Sequence, residues 1–288
     1  MGQAMGQHPK IFNNLFLSVI KVGESTGALD QGFLQISEYL AREKETQSRI
    51  KSALQYPTMV IIAISIAMMI VNVYVIPAFK GVFDKMGAEL PWQTKMLINI
   101  SDFTVNFWPY IVVTLVLSFY GLKKYFATKA GALHRDRLML KIPGVGSIIQ
   151  RASMERFSRS FAMILSAGIP IIQGITVVAG AVGNDYIASK LSLMRIGIEK
   201  GDSISRMVMS IRLFTPLVVQ MIMVGEETGD ISSMLLEAAD FYETEVDAEL
   251  KNLANVIELF LLVIVGIMVL VLALGIFLPM WNLSAAIH

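Results

Sequence analysis

VIELFLLVIVGIMVLVLALGIFL, residues 256–278, carries no charged side chain after Glu258. A helix needs about 20 predominantly apolar residues to cross the hydrocarbon core of a bilayer, and this stretch is long enough. Two further apolar stretches, residues 57–79 and 105–121, qualify in the same way. No segment shows the strict alternation of a strand. The sequence therefore predicts an all-α membrane protein with three transmembrane helices.

The composition agrees with this class and excludes several others. Hydrophobic residues make up 55% of the chain and charged residues 16%, with a mean hydropathy of +0.60, whereas soluble domains carry about 25% charged residues. Cysteine is absent, which excludes disulfides and thiolate metal sites. The formal net charge is +1, and nucleic-acid binding would call for a basic patch or stripe, so no nucleic-acid partner is expected.

The distribution of Lys and Arg predicts the orientation in the membrane, because cytoplasmic loops carry an excess of these residues. Residues 1–56 hold six of them, the 80–104 loop holds three, residues 122–255 hold 15 and residues 279–288 hold none. The sequence therefore predicts a cytoplasmic N-terminal domain, a short periplasmic loop, a large cytoplasmic helical bundle and a periplasmic tail at the C-terminus.

An internal repeat is the most specific feature of the chain. VGESTG at 22–27 matches VGEETG at 224–229 with an offset of 202 positions, and the match continues without a gap. It covers about residues 12–79 and 214–281. Each copy predicts a helix, a turn, a long charged helix and a membrane span in the same orientation.

The repeated turn supplies the candidate site residues. Its glycines allow a sharp turn between helices, and Ser25, Thr26 or Thr228 are expected to cap the following helix. The two glutamates suit the positive end of that helix; alternatively, they contact a partner or a cation. The candidate residues of this structural or partner-binding motif are Gly23, Glu24, Thr26, Gly27, Gly225, Glu226, Thr228 and Gly229.

Catalytic and metal-binding motifs are not recognisable. The three histidines are scattered, and the chain has no P-loop, nucleophile elbow or zincin motif. We therefore expect no catalytic residues, metal or cofactor, and a protein that is not an enzyme. An acidic run on the predicted second charged helix is interpreted as a solvated face: Glu237, Asp240, Glu243, Glu245, Asp247 and Glu249.

Several motifs together resemble the type II secretion system F protein family. Two Gly-Glu turns each precede a charged helix and a span. The segments FSRSFAMILSAGIPIIQGI (157–175) and KGDSISRMV (200–208) are similar to family patterns, and the ending LALGIFLPMWNLSAAIH (272–288) is similar to platform proteins of the mannose-sensitive haemagglutinin pilus. The resemblance covers nearly the whole chain.

This resemblance implies a non-catalytic platform in the bacterial inner membrane. The expected partners are a hexameric secretion ATPase, pilins or pseudopilins, other inner-membrane assembly proteins, further copies of the same chain and the lipid bilayer. The alternative function is a small transporter or channel subunit built from parallel repeats, although no charged side chain lies mid-span to support ion coupling.

The first cytoplasmic domain is shorter than the family pattern. About 60 residues of predicted helix precede Phe214 in the second copy, but only eleven precede Phe12 in the first. Residues 1–56 therefore look like a partial first domain with an uncovered apolar face. They are expected to pack on the second bundle, on another copy of the chain or on a separate fragment, or else to belong to a longer protein.

Overall fold

The computed structural model describes residues 1–8, 11–75, 77 and 92–286. The regular elements in these ranges are helices, and no strand occurs among them, which confirms the predicted all-α class. The chain divides into two compact units. The first, called here the bundle unit, comprises Met1–Lys51 and Tyr125–Leu253; the second comprises Ser52–Lys124 and Ala254–His288.

The helices have the following bounds, in chain order: α1 Gly2–Gly6, α2 Asn14–Thr26, α3 Leu29–Ile70 with a π-helical continuation over Val71–Val75, α4 Trp92–Phe126, α5 Lys129–Met139, α6 Val145–Ser166, α7 Ile171–Ala179, α8 Asp185–Glu199, α9 Ile204–Ile211, α10 Pro216–Thr228 and α11 Ile231–Ala286.

Short polar residues set where several of these helices begin. The side chains of Asn13, Asn184 and Ser203 accept hydrogen bonds from backbone N–H groups three positions later, at 2.9, 2.9 and 3.3 Å. Such caps satisfy donors that the first helical turn leaves unpaired. Pro216 occupies the first turn of α10, where its missing N–H costs nothing.

Helix α6 lies at the centre of the bundle unit. Four of its large side chains are almost completely buried: Met154, Phe157, Phe161 and Ile164. Helix α2 packs against α6 and α7 and buries Leu15, Val19 and Ile20. Burying one large apolar side chain contributes about 1.5–3 kcal/mol. The apolar face of the N-terminal segment is thus covered by the second bundle, one of the arrangements that the sequence left open.

One part of the α2 surface stays open. An apolar cavity of about 200 Å³ lies between α2, α3 and α6, and Ile11 beside it is 74% exposed. The cavity is lined by Ile11, Phe12, Asn13, Leu15, Phe16, Ile36, Tyr39, Leu40 and Met163. In the second copy, Phe214 occupies the position of Phe12 and meets the ring of Phe157 edge-on at 5.5 Å.

Two helices of the described chain are long and apolar enough to cross a membrane: α3, and α11 over Ile231–Leu270. Their apolar stretches are hardly buried, and side chains such as Met59, Ile62 and Leu262 are exposed. A core helix of a soluble protein would bury such residues, so both helices fit membrane insertion.

The remaining predicted membrane segments are described only in part. The predicted span 105–121 lies within α4. The predicted 80–104 loop lies outside the described residues as far as position 91, and from Trp92 onward it is helical. The predicted tail 279–288 is helical as far as Ala286, and its last two residues lie outside the described ranges.

Candidate functional site

The two copies of the Gly-Glu turn end helices of identical length. Helices α2 and α10 have 13 residues each, and both bounds differ by the 202 positions of the sequence offset. Each helix ends at a glycine in the left-handed region, Gly27 at φ 76° and Gly229 at φ 81°. A side chain at either position would be strained by about 1–2 kcal/mol, and both positions open onto free space. These glycines are therefore required for backbone conformation.

The other two glycines of the motif allow close approach. A Cβ atom on Gly225 would lie 3.0 Å from the Ile231 Cα and 3.1 Å from the Asp230 carbonyl oxygen. A Cβ atom on Gly23 would lie 3.3 Å from the Leu29 Cα and 3.1 Å from the carbonyl oxygen of the preceding residue. Because the neighbouring atoms are backbone, these contacts do not relax by a rotamer change. Each glycine thus lets one helix touch the start of the next.

The carboxylate of Glu226 caps a helix that precedes it in the chain. It accepts hydrogen bonds from the backbone N–H of Ile204 at 2.7 Å, from the N–H of Ser205 at 3.1 Å and from the Ser205 hydroxyl at 2.6 Å. These groups form the start of α9, where unpaired N–H groups and the helix dipole favour a negative charge. Glu226 therefore ties the end of α10 to the beginning of α9.

Glu24 makes the corresponding contact in the first copy. Its carboxylate accepts hydrogen bonds from the amino group of Met1 at 2.6 Å and from the N–H of Gly2 at 3.1 Å, at the start of α1. Gly2 and Ile204 are separated by the same offset as the two glutamates. The same contact thus occurs in both copies, on helices of different length.

These contacts lower the pKa of both carboxyl groups. Partial burial opposes the charged form of Glu226, but the hydroxyl and N–H of Ser205 and the N–H of Ile204 outweigh it, so the pKa of Glu226 lies below its ordinary value. The amino group of Met1 and the N–H of Gly2 lower the pKa of Glu24. Both side chains are therefore anionic acceptors at neutral pH.

Two details predicted for the turn are wrong: the capping of the following helix by the threonines, and the contact of the glutamates with the start of that helix. Thr26 and Thr228 donate back to the carbonyl oxygens of Val22 and Val224 in their own helices, as Ser25 also does, so they do not cap the following helix. At the start of α11 that role falls to Asp230, whose carboxylate accepts from the Ser233 N–H at 3.2 Å. The glutamates point to the helix upstream, because they lie in the last turn of α2 and α10.

The acidic run is also not a solvated face. Arg159 of α6 contacts Asp240 at 3.1 Å and Glu243 at 2.9 Å, and Arg151 contacts Glu245 at 3.1 Å and Glu249. These arginines draw the acidic residues of α11 onto α6. Only Glu237 in the run keeps an exposed position without such a contact among the described residues.

The most enclosed ion pair in the part of the chain that the structure describes joins two residues of α6. Glu155 and Arg159, with side chains 7% and 11% exposed, lie 2.7 Å apart. Burial raises the pKa of Glu155 despite the attraction of Arg159. The spacing of four positions places both groups on one helix face, but nothing in the local pattern shows that this face is buried. Sequence reasoning therefore missed this pair.

Metal-binding geometry is absent from the part of the chain that the structure describes. No group of three or more His, Asp or Glu side chains in those ranges could hold an ion. Instead, the candidate glutamates accept hydrogen bonds from backbone N–H groups, and the candidate glycines allow close packing or a left-handed helix end.

The geometry and the comparisons together define the class of protein to which this chain belongs. The chain is an all-helical protein whose bundle unit is continuous with two helices that fit membrane insertion. It belongs to the family described as type II secretion system protein F, whose model matches residues 1–77 and 157–279.

Similar proteins come from both pilus and secretion machines. The type IV pilus assembly protein TapC of Aeromonas hydrophila is 33% identical over 286 residues, which cover 99% of this chain and 69% of that protein. The type IV pilus assembly protein PilC of Thermus thermophilus is 31% identical over 98% of this chain and 69% of its own length. The type II secretion system protein F of Vibrio cholerae is 26% identical over 99% of this chain and 70% of its own length.

Replacing Glu226 tests its capping role. Glu226→Ala is expected to cost about 0.5–2 kcal/mol at pH 7, as the loss of a helix cap does. Because the pKa of Glu226 is lowered on folding, its stabilisation is present above the unfolded pKa near 4.5 and is lost as pH falls through the lower folded pKa. The difference between wild type and Glu226→Gln should therefore shrink on acidification, in thermal unfolding followed between pH 7 and pH 3.

Glu227 provides the matched control, because it is the next residue of α10 and its side chain is exposed. Glu227→Gln should unfold like the wild type at each pH. Equal unfolding curves for Glu226→Gln and Glu227→Gln at pH 7 would contradict the capping role.

Proposed function

We propose that this chain is a non-catalytic inner-membrane platform of a type IV pilus or type II secretion machine. It would couple a hexameric cytoplasmic ATPase to the assembly of pilins or pseudopilins. The observation that carries the proposal is the family match over most of the chain, together with relatives named for both kinds of machine. Further copies of the chain and other inner-membrane assembly proteins are proposed as additional partners.

Three membrane spans and an internal repeat belong to this proposal. Helix α4 is 35 residues long and exposes apolar side chains such as Val113, Leu115 and Leu117, which supports residues 105–121 as the third span beside those of α3 and α11. The matching bounds of α2 and α10, with the same glycine and glutamate contacts, support the repeat.

The coupling would run through continuous helices. Helix α3 runs from Leu29, in the bundle unit, to Ile70 with Pro57 inside it, and α11 runs from Ile231 to Ala286. Force applied to the bundle would pass along these helices to the apolar stretches, and in α3 it would cross Pro57, where one backbone hydrogen bond is missing.

Topology can be tested with single cysteines, because the natural chain has none. Ser52→Cys and Ser203→Cys are expected to resist a membrane-impermeant thiol reagent added from the periplasmic side, and Glu89→Cys to react. The reason is the excess of Lys and Arg on either side of the 80–104 loop. Reaction at position 203 with protection at position 89 would invert the topology.

Co-purification from native membranes tests the function. The tagged full chain, solubilised in mild detergent, should retain a secretion ATPase and pilin or pseudopilin, identified by mass spectrometry. An unrelated tagged protein with several spans serves as the control. Failure to retain either partner, together with normal fibre assembly and secretion after gene deletion, would refute the proposal and favour the transporter alternative.

A further inference from the structure

A single arginine joins the two long helices by ion pairs. Arg49 of α3 lies 2.6 Å from Asp247 and 2.8 Å from Glu243 of α11, and 2.7 Å from Glu45 of its own helix. Across the described ranges, every ion pair between α3 and α11 involves Arg49. Glu243 also binds Arg159 of α6, so the contact is anchored to the centre of the bundle unit.

Apolar packing contributes little to α3 at this level, where its one apolar residue, Ile50, is only half-buried. Ile36 and Tyr39 are buried in the core and Thr46 is buried beyond them, but no side chain of α3 from Gln47 to Lys51 is buried. Arg49 itself is 33% exposed. Here α3 depends mainly on charge, whereas α11 still buries apolar side chains such as Leu250.

We propose that Arg49 is an ionic latch that holds α3 against α11, and that α3 separates from α11 at this point when the latch is released. A partly exposed ion pair is weakened by salt, because the Debye length falls from about 10 Å at 0.1 M to about 3 Å at 1 M. Apolar contacts do not weaken in this way. The latched and released states therefore differ in their dependence on ionic strength.

The latch matters because both helices continue beyond it into apolar stretches. A change of spacing at Arg49 acts at the point where these stretches begin, and in α3 it reaches the apolar stretch across Pro57, which lies inside the helix. If the proposed platform function is correct, the latch controls how the bundle unit acts on the membrane helices. This consequence rests on the proposed function, whereas the latch itself is a property of the chain.

Distances between spin labels test the latch directly. Ser48→Cys on α3 and Ala248→Cys on α11 are exposed positions, and the full-length labelled protein can be measured by pulsed electron paramagnetic resonance in nanodiscs. The wild-type background should give one narrow distance distribution at low salt. Arg49→Gln should give a broader distribution with a longer mean, and 1 M sodium chloride should broaden the distribution of the Arg49 protein.

Two further variants make the test specific. Arg42→Gln is the matched control and should leave the distribution narrow. Arg42 is an exposed arginine of α3, and among the described residues it pairs with Glu45 of its own helix, at 4.0 Å. Arg49→Lys keeps the charge and should retain most of the narrow component. A distribution that stays narrow in Arg49→Gln and at 1 M salt would overturn the latch, whatever the outcome of the co-purification experiment.

Discussion

The Arg159→Gln variant is expected to lose about 3–5 kcal/mol of folding stability at pH 7, because removing one partner of a buried ion pair leaves the other charge uncompensated. Arg159 donates to the buried carboxylate of Glu155 at 2.7 Å, and it also binds Asp240 and Glu243 of α11. Losing it strands one enclosed anion and removes two ion pairs between α6 and α11, while those of Arg151 remain. Chemical or thermal unfolding of the detergent-solubilised chain measures the loss.

The pH dependence of this loss has a definite sign. Burial already raises the pKa of Glu155, and removal of Arg159 should raise it further. A carboxyl group with a raised folded pKa favours folding at low pH, and this contribution is lost as pH rises through the folded pKa. The deficit of Arg159→Gln should therefore be largest at pH 7 and decrease on acidification, and adding Glu155→Gln should restore part of the stability.

Arg206 is a suitable control for Arg159. Its side chain is 74% exposed and it pairs with Asp202, four positions earlier in the chain, at 3.0 Å. Arg206→Gln should change stability by no more than about 0.5 kcal/mol, as exposed helical pairs contribute little. If Arg159→Gln behaves like Arg206→Gln, the ion pairs of α6 do not hold the bundle together.

Gly225→Val should destabilise the bundle unit by about 1–3 kcal/mol or more, the range found when a packed interior receives extra carbon atoms. The added Cβ atom would lie 3.0 Å from the Ile231 Cα and 3.1 Å from the Asp230 carbonyl oxygen. The turn holds these backbone atoms, so α11 has to move away from α10. Lower Tm and loss of fibre assembly are the expected results.

The control for Gly225 is Gly180→Ala. Gly180 follows α7 with an ordinary φ of −73°, and its nearest neighbour would lie 3.5 Å from an added Cβ atom. This substitution should leave Tm nearly unchanged. A Gly225→Val protein that keeps the wild-type Tm would show that the turn adapts and that close approach is not required there.

The helical class and the position of the two turns could be predicted from the sequence, because both depend on local patterns. Long apolar stretches can only be helices in lipid, and a glycine after a helix signals a left-handed end. The separate tasks of Gly225 and Gly229 could not be predicted. The requirement at Gly225 depends on how closely the next helix approaches it, which is a property of the packed fold.

Long-range partners account for the features that sequence reasoning missed. Glu226 binds groups 21 and 22 positions earlier, and the acidic residues of α11 meet arginines more than 80 positions away. One signal was available: GDSIS, residues 201–205, places a serine helix cap at the start of α9, which marks N–H groups in need of an acceptor. Its acceptor could be found only from the fold.

The bundle unit is built from two pieces of chain that leave the ribosome at different times. Leu15, Val19 and Ile20 are buried against α6 and α7, which are synthesised more than a hundred residues later. At about 5–20 residues per second, translation from Thr26 at the end of α2 to Ala179 at the end of α7 takes on the order of 8–30 s. During that interval the face of α2 that packs on α6 and α7 lacks these partners, so the core of the bundle unit can be completed only after its second piece emerges.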